Sequence, residues 1–539
     1  VLWYAPAARP ASLVEHYRRS GLTSDLTVTA LLERNAAEFG PLPAVIDPAR
    51  TLTWTELVGA ALRFAGFLTG VGVGRGDVVC WQLPNWWESL VVAYGIWAAG
   101  AVSCPLTEIS REHEVRALLD RVAPACVVTA EEFRGFGHAE LWAEIVPPAG
   151  RNGPARVVVR GSAGGWTGFE EALGARPFAD RATPPDDPAL VVMTSGTTSG
   201  AKGVVHSTRS FLSYPLRTCR WVGAGWRDRT LSTFPLGHVS GMCWAVAVPL
   251  FTGGSVVIKD RWDPEFAVAA IEGMGVTYTG GPALFAREIL DVVTARATDH
   301  LSLDKGFTCG ASAFTDELAQ AIEDIGLGAN RAYGMSECPT VSGSAGFDPF
   351  EVRLGTDGRI APGCEIRVVD DDGRPVRAGQ VGEFVVRGPH RALGYLEAEH
   401  TAEGYDDQGW FTSGDLGTLS ADGLVTVTGR RKDVINRGGE KISSRQVEDL
   451  LSLHPAVFEA AVVPAPHPRY GEEPAAFVLL RPGAQADGAE LAAFLADRGL
   501  AAQKIPRVWR TVDDLPRTAA GKVKKYELAA VLAQPAAGD

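Results

Sequence analysis

A lysine set just beyond a run of glycines and hydroxyls is the first feature of this sequence that suggests chemistry. The segment Thr194-Ser195-Gly196-Thr197-Thr198-Ser199-Gly200-Ala201-Lys202-Gly203 follows an apolar run at 189–193. Glycines let successive backbone N–H groups turn toward an anion, while the hydroxyls and Lys202 add donors around the same volume. The pattern G-x-x-x-x-G-K-[ST] does not align with Gly196, Gly200 and Lys202, so this is not the usual P-loop. Read alone, the segment is a phosphate cradle or a Ser/Gly-rich surface turn. Lysine is scarce here, nine among 51 basic residues, and six of the nine lie at or beyond Lys432. A lysine inside a Gly-rich or basic motif therefore stands out.

The elements that must position such a loop follow from the hydrophobic pattern. Residues 1–190 alternate helical and strand patterns: helices at 53–68 and 112–121, strands at 77–81, 125–128 and 155–159. A Pro/Asp-rich break at 184–188 precedes the buried strand that feeds the loop. A second alternating block covers about 205–340, with strands at 254–258 and 275–279. Short strands dominate 355–430, at 365–369, 382–386 and 423–428. After Gly429-Arg430-Arg431-Lys432-Asp433 a compact α/β pattern restarts. The fold class predicted is α/β: a large N-terminal domain of α/β subdomains plus a β-rich subdomain, residues 1–430. A small mobile C-terminal α/β domain, 431–539, follows, with a hinge near Lys432.

Composition removes several function classes. The chain of 539 residues has a net charge of −13, which argues against a nucleic-acid surface. Eight cysteines stand at least 22 apart with no C-x-x-C, so neither a zinc site nor a disulfide framework is expected, and a reducing cytoplasm fits. Val1-Leu2-Trp3-Tyr4 lacks the basic-then-apolar pattern of a signal peptide. The uncharged stretch 89–107 contains Gly95, Gly100, Ser103 and Pro105, and reads as a buried helix turning into a strand rather than a membrane span.

Five further segments stand in order with the 194–203 loop. They are Pro235-Leu236-Gly237-His238, Tyr333-Gly334-Met335-Ser336-Glu337, Gly409-Trp410-Phe411-Thr412-Ser413-Gly414-Asp415, 429–440, and Pro516-Arg517-Thr518-Ala519-Ala520-Gly521-Lys522. Together they resemble the ANL superfamily of adenylate-forming enzymes, over nearly the whole chain. The stretch 234–287, with Arg261-Trp262-Asp263-Pro264, is most similar to its alicyclic and medium-chain acyl-CoA ligases. The resemblance implies an acid–CoA ligase that uses ATP, Mg²⁺ and CoA. A carboxylate would attack the α-phosphorus of ATP; both are anions, so positive charge must lie between them. The resemblance gives that charge to Lys522 and the pyrophosphate to Thr194, Ser195, Gly196, Thr197, Thr198 and Lys202. It makes Glu337 the Mg²⁺ ligand and puts Ser336 on the α-phosphate. Tyr333, flanked by Gly334 and Met335, would stack on adenine beside Gly310-Ala311-Ser312, while Asp415 and Arg430 hold the ribose.

The same resemblance implies a second step, in which the small domain rotates about Lys432. Lys522 then withdraws, and Gly438 and Gly439 line a pantetheine tunnel gated by His238. No acidic residue lies in 234–250 to hold a substrate ammonium, so the substrate is expected to be a carboxylic acid without an α-amine. His238, Val239, Gly241, Met242 and Trp244 suggest a roomy apolar pocket for an alicyclic, polycyclic or aromatic acid. Two departures stand out. Ser199-Gly200-Ala201-Lys202 replaces the family's Gly-x-Pro-Lys, and a serine in left-handed geometry costs about 1–2 kcal/mol. Ala311 adds a methyl where glycine is common. These departures open an alternative, a ligase that only thioesterifies an acyl-adenylate supplied by a separate adenylating enzyme. Loading of a carrier protein and a non-catalytic acyl-adenylate binding module are the other readings.

Overall fold

Residues 89–107 run through the helix Trp87–Ala98 into the strand Val102–Leu106, and every side chain of both elements is buried. This explains the uncharged stretch: the helix is covered on all sides. Its one acid, Glu88, is neutralised by a two-pronged contact from Arg160, at 2.7 and 2.9 Å. No helix among the described residues is long and apolar enough to cross a membrane. The computed structural model describes residues 3–150, 153–180, 182–194, 202–296, 300–310, 314–518 and 521–533.

The central sheet has nine strands. From one edge it runs Ala5–Pro6, Gly394–Tyr395, Gly203–Ser207, Pro188–Met193, Val102–Leu106, Val78–Gln82, Cys126–Ala130, Ala155–Val159 and Thr167–Gly168. Pairing is parallel from Pro188–Met193 outward to Thr167–Gly168, as crossover helices require, and antiparallel around Gly203–Ser207. The helix Trp54–Gly70 packs against Trp87–Ala98 over one face. Its start is set by a capping box in which Thr53 and Glu56 satisfy each other's backbone N–H groups.

A second α/β unit holds the five-stranded sheet Thr279–Gly281, Phe307–Gly310, Ala329–Tyr333, Ser342–Gly343 and Arg359–Ile360. The strand expected at 275–279 begins only at Thr279. Gly275 takes φ +68°, and Thr277 instead donates its N–H to the Arg229 carbonyl, bridging toward another sheet. The β-rich unit is an antiparallel sheet of Glu365–Val369, Gly382–Arg387, Phe411–Leu419 and Val425–Arg430. The last sheet draws all its strands from beyond that point: Val434–Arg437, Glu440–Ser443, Val457–His467, Gly471–Leu480 and Val508–Val512. It has its own apolar core, including Ile435, Ile442, Val447, Leu451 and Val462. The chain is thus a large N-terminal domain followed by a small C-terminal one. All eight cysteines are free, seven of them buried.

Candidate functional site

Strand Pro188–Met193 delivers Thr194, and strand Gly203–Ser207 leaves from Lys202. The two ends are clamped: Thr194 N–H donates to the Lys202 carbonyl at 2.9 Å, and Lys202 N–H to the Thr194 hydroxyl at 3.3 Å. The loop tip carrying Ser195, Gly196, Thr197 and Thr198 lies outside the described residues, as do Ala311 and Ser312. Gly310 ends the strand Phe307–Gly310.

Strand Ala329–Tyr333 delivers Tyr333 and then turns sharply. Met335 and Cys338 exchange backbone hydrogen bonds at 3.2 Å each, and a side chain at Gly334 would press into the Thr340 backbone. The turn presents Ser336 and Glu337 as neighbours. Two residues not singled out in the sequence hold it from behind. Buried His206 contacts the Ser336 carbonyl through Nε2 at 2.8 Å. A carbonyl only accepts, so Nε2 carries the proton and Nδ1 faces the Ser210 hydroxyl at 3.2 Å. Burial holds the His206 pKa down to about 4, which keeps the ring neutral. Tyr395, 3% exposed, donates its phenol O–H to Glu337 Oε1. Burial raises the Glu337 pKa, and this hydrogen bond opposes the rise. Hydrophobic pattern explains Tyr395 as core and His206 as a strand residue, so neither had a signal of its own.

Asp415 and Arg430 face each other across the antiparallel strands Phe411–Leu419 and Val425–Arg430. Arg430 Nε lies 2.9 Å from Asp415 Oδ1, and the Tyr333 phenol donates to Asp415 Oδ2 at 2.9 Å. A carboxylate has about four lone-pair positions, so each oxygen still has room to accept a ribose hydroxyl. Asp415 raises the Arg430 pKa further.

Lys522 enters this volume from the C-terminal domain. Its electrostatic neighbours are Arg430, Asp415, Glu337 and Lys432, and burial followed by Arg430 holds its pKa down to about 8. The adjoining Gly521 sits where a Cβ would touch the Pro282 ring at 3.4 Å, so the small domain is docked on the large one. Lys432 itself sits in the 3-10 turn Arg431–Asp433, its pKa lowered by burial and by Arg430. Around this turn the domains are tied by charged contacts, exposed at Asp371 and buried at Glu383. Arg431 pairs with Glu383 and Asp371 at 2.6 and 3.1 Å, and Lys441 with Asp371 at 2.7 Å.

His238 caps the short helix Val239–Gly241, its Nδ1 accepting from Ser240 N–H at 3.2 Å. Burial, reinforced by the charge of Lys522, holds its pKa down to about 3, so the proton sits on Nε2. Phe234 stacks on it at 6.5 Å between centroids. Trp244 lies between Phe234 and Tyr278, at 6.4 and 5.6 Å, on the π-helix Met242–Ala247. A π-turn is uncommon and often marks a functional site. Val239 and Met242 are buried and Trp244 is half-buried. Gly241 is also buried, against the Pro235 backbone. Gly438 and Gly439 form an exposed turn with φ of +60° and +97°, against Tyr470 of their own domain.

Among the described residues no group of three or more His, Cys, Asp or Glu could by itself hold a metal. Glu337 alone fits Mg²⁺, which is commonly held by one or two carboxylates and the phosphates of its ligand.

Residues 32–396 match the family model for AMP-binding enzymes, and 446–522 that for the AMP-binding enzyme C-terminal domain. The chain is 31% identical over 521 residues to the medium-chain fatty-acid–CoA ligase of Escherichia coli (strain K12), covering 95% of this chain and 91% of that one. It is 32% identical over 528 residues to the 2,3-dihydroxybenzoate-AMP ligase of Bacillus subtilis (strain 168), covering 96% of each. The solved structure of O-succinylbenzoate coenzyme A synthetase from Bacillus subtilis, in complex with ATP and magnesium ion, matches with a TM-score of 0.80 and 25% identity, covering 92% of this chain and 98% of that one. The chain belongs to the AMP-binding enzyme family, within the ANL superfamily of adenylate-forming enzymes, and is an acid–thiol ligase of that family.

Proposed function

We propose that the chain activates a hydrophobic carboxylic acid (alicyclic, polycyclic or aromatic) as its acyl-AMP and passes the acyl group to CoA. The observation that carries this reading is the meeting of Lys522 with Arg430, Asp415 and Glu337 in one charged volume. A pure nucleotide binder has no use for a lysine brought there from another domain.

In this reading Tyr333 packs on adenine, and Asp415 takes the ribose hydroxyls while Arg430 holds its carboxylate in place. The Lys522 ammonium stands between substrate carboxylate and α-phosphate and lowers the repulsion between them. Mg²⁺, when bound at Glu337, neutralises charge on the departing pyrophosphate. Residues 1–430 and 431–539 then turn about Lys432. Of the ties they must break, Arg431 and Lys441 to Asp371 are exposed and therefore weak, while Arg431 also reaches the buried Glu383 carboxylate. The turn at Gly438-Gly439 would move from its exposed position to the thiol. The aromatic set Phe234, His238, Trp244 and Tyr278, with no acid in 234–250, supports an apolar substrate lacking an amine.

A panel of free acids, and their synthetic adenylates, incubated with the protein and followed by ATP–pyrophosphate exchange and mass spectrometry tests this reading. The expected result is acid-dependent exchange for apolar acids, and acyl-CoA when CoA is added. Conversion of adenylates without exchange would identify the thioesterification-only ligase. Acyl transfer to a holo-carrier protein but not to CoA would identify carrier loading. Turnover of neither acid nor adenylate would overturn the proposal.

A further inference from the structure

Tyr395 touches two parts of the site that are far apart in sequence. Its phenol donates to Glu337, and the Lys202 ammonium sits over its ring, 5.3 Å from the centroid. Its backbone is fixed independently of either contact. Gly394–Tyr395 is a short strand wedged between Gly203–Ser207 and Ala5–Pro6, with Tyr395 paired to Val204 on one side and Ala5 on the other. Flanking bonds complete the frame: Leu396 N–H to the Gly203 carbonyl, Leu393 N–H to Val205, and Ala392 N–H to Glu337. The side chain is therefore a rigid post, rooted beside the strand that leaves the phosphate loop.

We infer that Tyr395 is a positioning residue for the metal-bound phosphates: it aims the Glu337 carboxylate at the cation and seats Lys202 beside it. This rests on Glu337 as the Mg²⁺ ligand in the reading above. The phenol occupies one carboxylate oxygen and so limits rotation of the side chain, leaving lone pairs for a hard cation. It is the donor because an ionised carboxylate oxygen only accepts, while the phenol carries its proton at neutral pH. The ring also offers the lysine a partly desolvated seat through cation–π attraction. A partner that orients a metal ligand through a hydrogen bond is commonly worth roughly 10- to 100-fold in metal affinity or activity.

The test uses Mn²⁺ as a paramagnetic probe, titrated by EPR into the full chain with a non-hydrolysable ATP analogue. Tyr395→Phe keeps the ring and loses the hydroxyl. It is expected to weaken Mn²⁺ binding roughly tenfold or more, with thermal melting of the metal-free protein nearly unchanged. Tyr395→Leu, which also removes the ring, is expected to weaken the ATP analogue further. In a Glu337→Gln background the effect of Tyr395→Phe on Mn²⁺ disappears, because the carboxylate it orients is gone. Equal Mn²⁺ affinity in wild type and Tyr395→Phe overturns the inference, as does a wild type that binds no Mn²⁺–nucleotide. The same loss in the Glu337→Gln background would also overturn it. If Mn²⁺ binding behaves as expected but no acid supports pyrophosphate exchange, the proposed adenylation fails while the role of Tyr395 stands.

Discussion

Asp415 and Arg430 stand directly opposite each other on neighbouring antiparallel strands, with Nε 2.9 Å from Oδ1. Strand register, rather than a loop, sets this pair, and Tyr333 fixes the second oxygen. Asp415→Asn keeps the size but removes the charge, leaving Arg430 without its carboxylate. Hydrogen bonds to a charged group are worth about 1.5–3 kcal/mol, so nucleotide affinity is expected to fall roughly 10- to 100-fold. Calorimetric titration with ATP checks this, with the affinity for the acid little changed. An Asn variant that binds ATP normally would remove Asp415 from the ribose site.

The pH response of Lys522 follows from its environment. Its pKa lies near 8 against an ordinary 10.5, because burial and Arg430 disfavour the charged form. Adenylation needs the ammonium, so its rate is expected to hold below pH 8 and to decline above it. Lys522→Arg should move that decline to higher pH. Lys522→Ala should slow adenylation by roughly 10²–10³, the usual scale for one preorganised charge. Between pH 8 and 10.5 the unfolded chain holds this proton and the folded chain does not, so this group adds stability as pH rises through that window. An adenylation profile identical in the Lys and Arg forms would falsify this assignment.

Acid sensitivity is expected to begin well above the carboxylate range. Burial depresses the pKa of His138 and His206 to about 4 and of His238 to about 3, from 6.5. Below pH 6.5 the unfolded chain takes up protons that these folded sites refuse. Their contribution is fully present above 6.5 and is lost as pH falls toward 4. For the fully buried His206 this amounts to on the order of 3 kcal/mol by pH 4. His206→Gln can still donate to the Ser336 carbonyl but does not titrate. Thermal melting from pH 7.5 to 4.5 should therefore slope less in that variant, and an unchanged slope contradicts the argument.

In the proposed reaction the turn at Gly438 is expected to serve the second half-reaction only. Its φ of +60° makes Gly438→Ala cost about 1–2 kcal/mol locally, and the new methyl would meet Tyr470 Cδ1 at 3.2 Å. The turn lies outside the Asp415–Arg430–Lys522 cluster, so pyrophosphate exchange is expected to stay within about twofold, while transfer from a synthetic adenylate to CoA falls roughly tenfold or more. Parallel losses in both assays would place the turn in general folding instead.

Several parts of the site were readable along the chain because local physics specifies them. The buried strand before Thr194, the short strands of the β-rich unit and the compact α/β pattern after Lys432 depend mainly on neighbouring residues. The buried helix at 87–98 was legible for the same reason, since an uncharged stretch broken by glycines has few other places to go. The strand expected at 275–279 was displaced because a neighbouring strand competed for Thr277.

What the sequence by itself determined was an inventory of candidates: Lys202, Glu337, Asp415, Arg430 and Lys522, in the order the resemblance implies. Only the tertiary structure decided which of these meet and in what state. It set the Lys522 pKa near 8, kept His206 and His238 neutral, and put Tyr395 between Lys202 and Glu337. The reason is physical. Desolvation and charge proximity depend on distances across elements hundreds of residues apart, and linear spacing carries no record of them.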